Sequence, residues 1–87
     1  MGKYDPLFEH LCRTPDEALD LAFTDIEALV GPLPASARRH SAWWSNDAGG
    51  GGSVQARSWL NAGREVESVD VRRGRVRFSV ARWRRGS

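Results

Sequence analysis

The chain has 87 residues, 40% of them hydrophobic and 28% charged, with a formal net charge of +2. That length fits one small domain, and the hydrophobic fraction sets it apart from disordered chains. A single cysteine excludes an intramolecular disulfide framework and any multi-cysteine zinc or iron–sulfur site, and no apolar run approaches the roughly 20 residues of a membrane span.

The small net charge hides a division. Residues 1–34 hold 2 basic and 7 acidic side chains, whereas residues 35–87 hold 11 basic side chains, all arginine, and 4 acidic ones. Arginine presents a planar fork of donors that matches phosphates and guanine edges, so a basic half hints at nucleic acid. An acidic half beside a basic half can also attract itself, within the fold or between molecules. The start, Met1-Gly2-Lys3-Tyr4, lacks the apolar segment of a signal peptide, and the expectation is a cytoplasmic protein.

Asp5-Pro6 opens a first helix over residues 6–12, with Leu7, Phe8, Leu11 and Cys12 on one apolar stripe. Thr14-Pro15-Asp16-Glu17 resembles a capping box, but Leu19, Leu21 and Phe23 alternate. The reading is a turn followed by a short strand near 19–23. Thr24-Asp25-Ile26-Glu27 is a better capping box and starts a helix over 25–30, which Gly31-Pro32 stops. Residues 35–42 read as another short helix carrying Arg38, Arg39 and His40. A short helix, a Gly-containing turn and a second helix form the helix-turn-helix pattern.

Of Trp43 and Trp44, one belongs in the core and the other at its edge, since adjacent residues point apart. Ala48 and the four glycines after it read as a flexible loop insertion. Ser53 caps a helix over 54–62, with Gly63 at its end. The chain closes with a β-hairpin: Val69 and Val71 alternate, residues 72–75 turn, and Val76, Phe78 and Val80 alternate again. Val66 is out of phase with Val69, which predicts a bulge near Glu67-Ser68. The expected core is Phe8, Leu11, Phe23, Ile26, Leu29, Trp59, Leu60, Val69, Val71, Val76 and Phe78.

The element order predicts an α+β domain over residues 1–83 with a frayed basic tail at 84–87. It is winged-helix-like, with three or four short helices and a C-terminal hairpin, and with residues 54–62 as an extra helix before the wing. An α+β arrangement whose hairpin packs on helices with merely solvated arginines stands beside it. Tyr4-Asp5-Pro6-Leu7, Leu33-Pro34 with Ser36-Ala37, Trp43-Trp44 with Asn46, and Trp59-Leu60 with Ala62-Gly63 resemble a family of small uncharacterised bacterial domains. The resemblance covers about residues 3–80 and implies no activity. It suggests that Trp43, Trp44 and Asn46 belong to one constellation. The glycine run and Arg64-Glu65, where a more apolar or aromatic residue is expected, depart from the pattern.

No catalytic constellation is visible. His10 and His40 lie in different helices, Cys12 reads as a core residue, and no acids have metal-site spacing with histidine. The expectation is therefore a non-catalytic DNA-binding protein with no cofactor or metal. Its candidate contacts are Arg38, Arg39, His40, Trp44, Asn46, Arg57, Arg72, Arg73, Arg75 and Arg77. An amide and a guanidinium beside aromatic rings can hold a base, and basic residues at a hairpin tip can meet phosphates. The alternative is a protein-interaction or self-association module with complementary acidic and basic halves.

Overall fold

A computed structural model describes residues 2–46 and 54–81. The loop expected at residues 48–52, its capping Ser53 and the tail from residue 82 fall outside the described residues. The first helix, α1, spans Asp5–Arg13. It begins one residue earlier than Pro6, because Tyr4 is the N-cap and Asp5 occupies the first turn, where its carboxylate suits the helix dipole and accepts the Gly2 N–H at 2.8 Å. Leu7 and Leu11, one turn apart, are its buried pair, and Phe8 lies only partly buried beside them. Cys12 is exposed, which corrects its placing in the core. The stripe centres on Leu7 and Leu11, and Cys12, one residue further, is rotated about 100° out of it.

Strand β1 is Ala18–Ala22 and helix α2 is Phe23–Val30. The expected strand ran one residue further. Phe23 instead donates its N–H to the Gly74 carbonyl at 2.7 Å and starts the helix. Thr24 therefore lies inside α2 and is not its cap. Asp25 takes the reaching-back role and accepts the Ala22 N–H at 3.0 Å. Gly31, at φ 88°, ends α2 and closes onto the Glu27 carbonyl at 2.8 Å.

The single helix expected over 35–42 is split. Helix α3 is Ala35–Arg39, His40 is extended, and a 3₁₀ turn follows at Ser41–Trp44. In an unbroken helix seven residues rise about 10 Å. The break lets the buried Trp44 indole reach back and donate to the Ala37 carbonyl at 2.9 Å. Helix α4 is Val54–Asn61. Gly63, at φ 75°, turns the chain directly into strand β2, Arg64–Asp70, and β3, Arg75–Val80, returns.

The three strands form an antiparallel sheet in the order β1-β3-β2. The expected bulge is present, as a register shift between Val66 and Ser68. The helices pack on the face that carries Leu21, Val76 and Phe78, with Ile26, Trp44 and Trp59 in the same buried cluster. The core is aromatic. Trp44 stacks on Phe23 at 5.0 Å and on Trp59 at 6.0 Å, and Trp59 meets Phe78 at 5.6 Å. Trp43 sits at its edge, half-buried and edge-on to Trp44 at 4.6 Å. Leu11, Phe23, Ile26, Trp59, Val76 and Phe78 are buried as expected. Phe8, Leu29, Leu60, Val69 and Val71 pack at the margin, Trp44 is the core member of the tryptophan pair and Leu7 of the α1 stripe, and Leu21 and Leu33 join the buried cluster. The molecule is a small α+β domain with a C-terminal hairpin, and no helix among the described residues is long and apolar enough to cross a membrane.

Candidate nucleic-acid interface

The expected contact residues divide into four groups. The first gathers where three segments meet. A hollow of about 260 Å³ is lined by the start of α2 (Ala22 to Thr24), by Arg38 of α3 and by the hairpin turn with Arg72, Arg73 and Gly74. Gly74 stands at φ 67°, the left-handed region, so the turn that presents these arginines depends on a residue without a Cβ. Residues 34 positions apart in the chain thus place guanidinium groups around one concavity.

These arginines differ in how far they are committed. Arg38 donates from Nη2 to Glu27 Oε1 at 2.6 Å. The same Glu27 carboxylate accepts the Leu33 N–H at 2.9 Å. That backbone hydrogen bond, and then Arg38, hold its pKa below the ordinary value of 4.5. Arg73 lies 3.7 Å from Asp70, whose other oxygen accepts the Arg73 N–H at 3.1 Å and shapes the turn. Arg72 is exposed and makes no ion pair among the described residues. Arg39 and His40, beyond Arg38, are likewise exposed and unpaired among the described residues.

The second group lies on the outer face of the sheet. Arg77 reaches across all three strands, bonding Asp20 of β1 at 3.2 Å and Glu67 of the β2 bulge at 2.5 Å. Arg75 borders a shallow cleft with Asp20, Asp70 and Arg77, so the potential there is mixed. The third group, Trp44 and Asn46, is structural. Trp44 is 2% exposed between two aromatic rings and presents no face to a base. Asn46 spends its carboxamide inward: Oδ1 accepts from Trp59 Nε1 at 3.0 Å and from the Val66 N–H at 2.8 Å, and Nδ2 donates to the Val66 carbonyl at 3.0 Å. Burial removes Trp44 from the expected contact set, and the exposed Asn46 has most of its carboxamide engaged within the fold. Arg57, alone on α4, stands apart beside Tyr4, Asp5 and Asn61.

The helix that runs straight into the hairpin is α4, as the element order predicted, and α3 is a five-residue segment flanking the hollow. One feature was not anticipated. Arg64, read as a departure from the family pattern, is 3% exposed and donates to the Thr14 carbonyl at 2.8 Å and to the Glu17 carbonyl at 3.2 Å. It ties the strand after α4 to the loop before β1. Its place next to the C-capping Gly63, in the first position of β2, was the available signal. Among the described residues no three histidine, cysteine, aspartate or glutamate side chains are grouped to hold a metal ion.

No curated protein and no solved structure matches the chain. A family model, a domain of unknown function (DUF7662), matches residues 4–81, which takes in every described helix and strand. By that match, the chain belongs to the DUF7662 family.

Proposed function

We propose that this domain binds duplex DNA non-catalytically, mainly through phosphates, at the hollow where Arg38 and the hairpin turn meet. The observation that carries the reading is the convergence of Arg38, Arg72 and Arg73 on one concavity at the start of α2. Arginine forks favour phosphate oxygens. The order helix, strand, helices, two strands, with the sheet ordered β1-β3-β2, supports a winged-helix-like reading in which the hairpin turn is the wing tip. In that arrangement α4, which leads into the wing, takes the place the sequence reading gave to residues 35–42. Its one arginine, Arg57, makes base readout a minor part of the interaction. Arg39, next to Arg38 in α3, is exposed and adds positive charge to that segment.

A protein-interaction role has its own support. Arg38, Arg73 and Arg77 each face a carboxylate of the same molecule, as expected if acidic and basic surfaces complement one another. Fluorescence anisotropy against duplex and single-stranded DNA at low and moderate salt separates the two. Salt-sensitive binding of duplex DNA supports the proposal. No binding at low salt, together with concentration-dependent self-association, moves the conclusion to the second reading.

A further inference from the structure

A larger concavity, of about 520 Å³, lies on another part of the molecule, between the start of α1 and the second half of α4. That is within the range of small-molecule sites, about 300–1,000 Å³. One wall carries Tyr4 and Phe8, four residues apart and so on one side of α1. Both rings are half-buried, and Trp43 holds the Tyr4 ring edge-on at 6.2 Å. Burial pushes the Tyr4 phenol up from its ordinary value of 10.0, and like any phenol it is a hydrogen-bond donor at neutral pH. The other wall carries Arg57 and Asn61, again four residues apart, with Ser58 between them.

The charges in this pocket are not equivalent. Asp5 is committed to the Gly2 N–H and to the start of α1. Arg57 is exposed, and its guanidinium makes no hydrogen bond or ion pair with any described residue. Ser58 spends its proton on the Gln55 carbonyl at 2.6 Å, and the Asn61 amide is exposed at the rim. A site with two aromatic rings on one side and, on the other, a guanidinium uncommitted among the described residues selects a flat apolar body with an anionic end. We infer that this pocket binds a small planar aromatic carboxylic acid, its ring against Tyr4 and Phe8 and its carboxylate on the Arg57 fork. Guanidinium and carboxylate are planar and pair through two parallel hydrogen bonds, and a neutral amide cannot replace that pairing. A cationic ligand would be repelled by Arg57. The pocket lies apart from the hollow at the hairpin and shares with the proposed DNA contacts only Arg57, so naphthoate binding and the hairpin-arginine salt dependence are read separately.

The test uses the whole chain, with 2-naphthoate as probe and 2-naphthamide as its neutral counterpart, followed by calorimetry and by amide shifts in NMR spectra. Saturable naphthoate binding is expected, about tenfold tighter than naphthamide, the difference expected of one charge-assisted pair. The largest shifts should fall at Phe8 and Arg57. Arg57→Gln should erase the preference for the acid while thermal unfolding stays unchanged. Arg13→Gln, at an exposed arginine outside the pocket, should retain it. The inference is overturned by an absence of saturable binding at millimolar naphthoate, by equal affinities for acid and amide, or by a preference that survives Arg57→Gln. Shifts centred on the hairpin turn would also overturn it, since they would mean that naphthoate binds as a simple anion at the exposed arginines.

Discussion

The carboxamide oxygen of Asn46 accepts the indole N–H of Trp59 at 3.0 Å. Trp59 is fully buried, so this bond gives its one polar atom a partner. The same side chain pairs with both backbone groups of Val66, as a neighbouring strand would. Asn46 thus joins the aromatic core to the outer edge of β2, and beside the bulge it keeps that edge from pairing with another chain. Asn46→Ala removes three hydrogen bonds and should cost about 1–3 kcal/mol. Urea denaturation measures it, and a loss under about 0.5 kcal/mol, the range of ordinary surface changes, would contradict this role.

Trp59→Ala should cost roughly 3–5 kcal/mol, a large part of the stability of a domain this size. The ring touches both Trp44 and Phe78, so the cavity opens in the middle of the aromatic stack. Cys12→Ser, on the exposed side of α1, should lie within about 0.5 kcal/mol of the parent in the same assay.

Arg64→Met should destabilise by about 2–4 kcal/mol despite similar length, because the Thr14 and Glu17 carbonyls lose a charged donor. Arg64→Lys should recover only part of this, since one ammonium replaces a fork. Equal stability of the methionine variant and the parent would show that packing alone holds the strand at that point.

Glu27 links stability to pH. Its folded pKa is depressed, first by the Leu33 N–H and then by Arg38. Its contribution is therefore fully present above the unfolded carboxylate range, near 4.5, and is lost as pH falls through the lower folded value. The stability difference between the parent and Glu27→Gln should be constant near neutrality and shrink below about pH 4.5. A difference independent of pH down to strongly acidic conditions would contradict the assignment.

The regular parts of the fold were legible because their signals are local. Alternation at Leu19 and Leu21, the glycines that end α2 and α4, and the phase slip at Val66 each report backbone geometry over a few residues. What was not legible depends on distant partners. The break at His40 follows from Trp44 reaching Ala37, and the start of α2 follows from Phe23 bonding Gly74, 51 positions away. The burial of Arg64 needs carbonyls 47 and 50 positions earlier. At the candidate site, charge type and hairpin-tip position were readable in Arg72 and Arg73. That Trp44 and Asn46 are consumed by the core was not, because a Trp-Asn pair looks alike whether it faces a base or an indole.

The central claim is that the arginines around the hollow neutralise phosphates. The measurement that tests it most directly is the dependence of duplex affinity on salt for the parent, Arg72→Ala, Arg73→Ala and Arg13→Ala. Each lost phosphate contact should flatten the log–log slope by about 0.9 and weaken binding to all sequences alike. Arg72→Ala should show the full change, Arg73→Ala the same or somewhat less because Asp70 partly engages it. Arg13→Ala, on α1 outside the hollow, should leave the slope unchanged. Identical slopes for Arg72→Ala and the parent, or equal losses for Arg13→Ala and Arg72→Ala, would contradict the account.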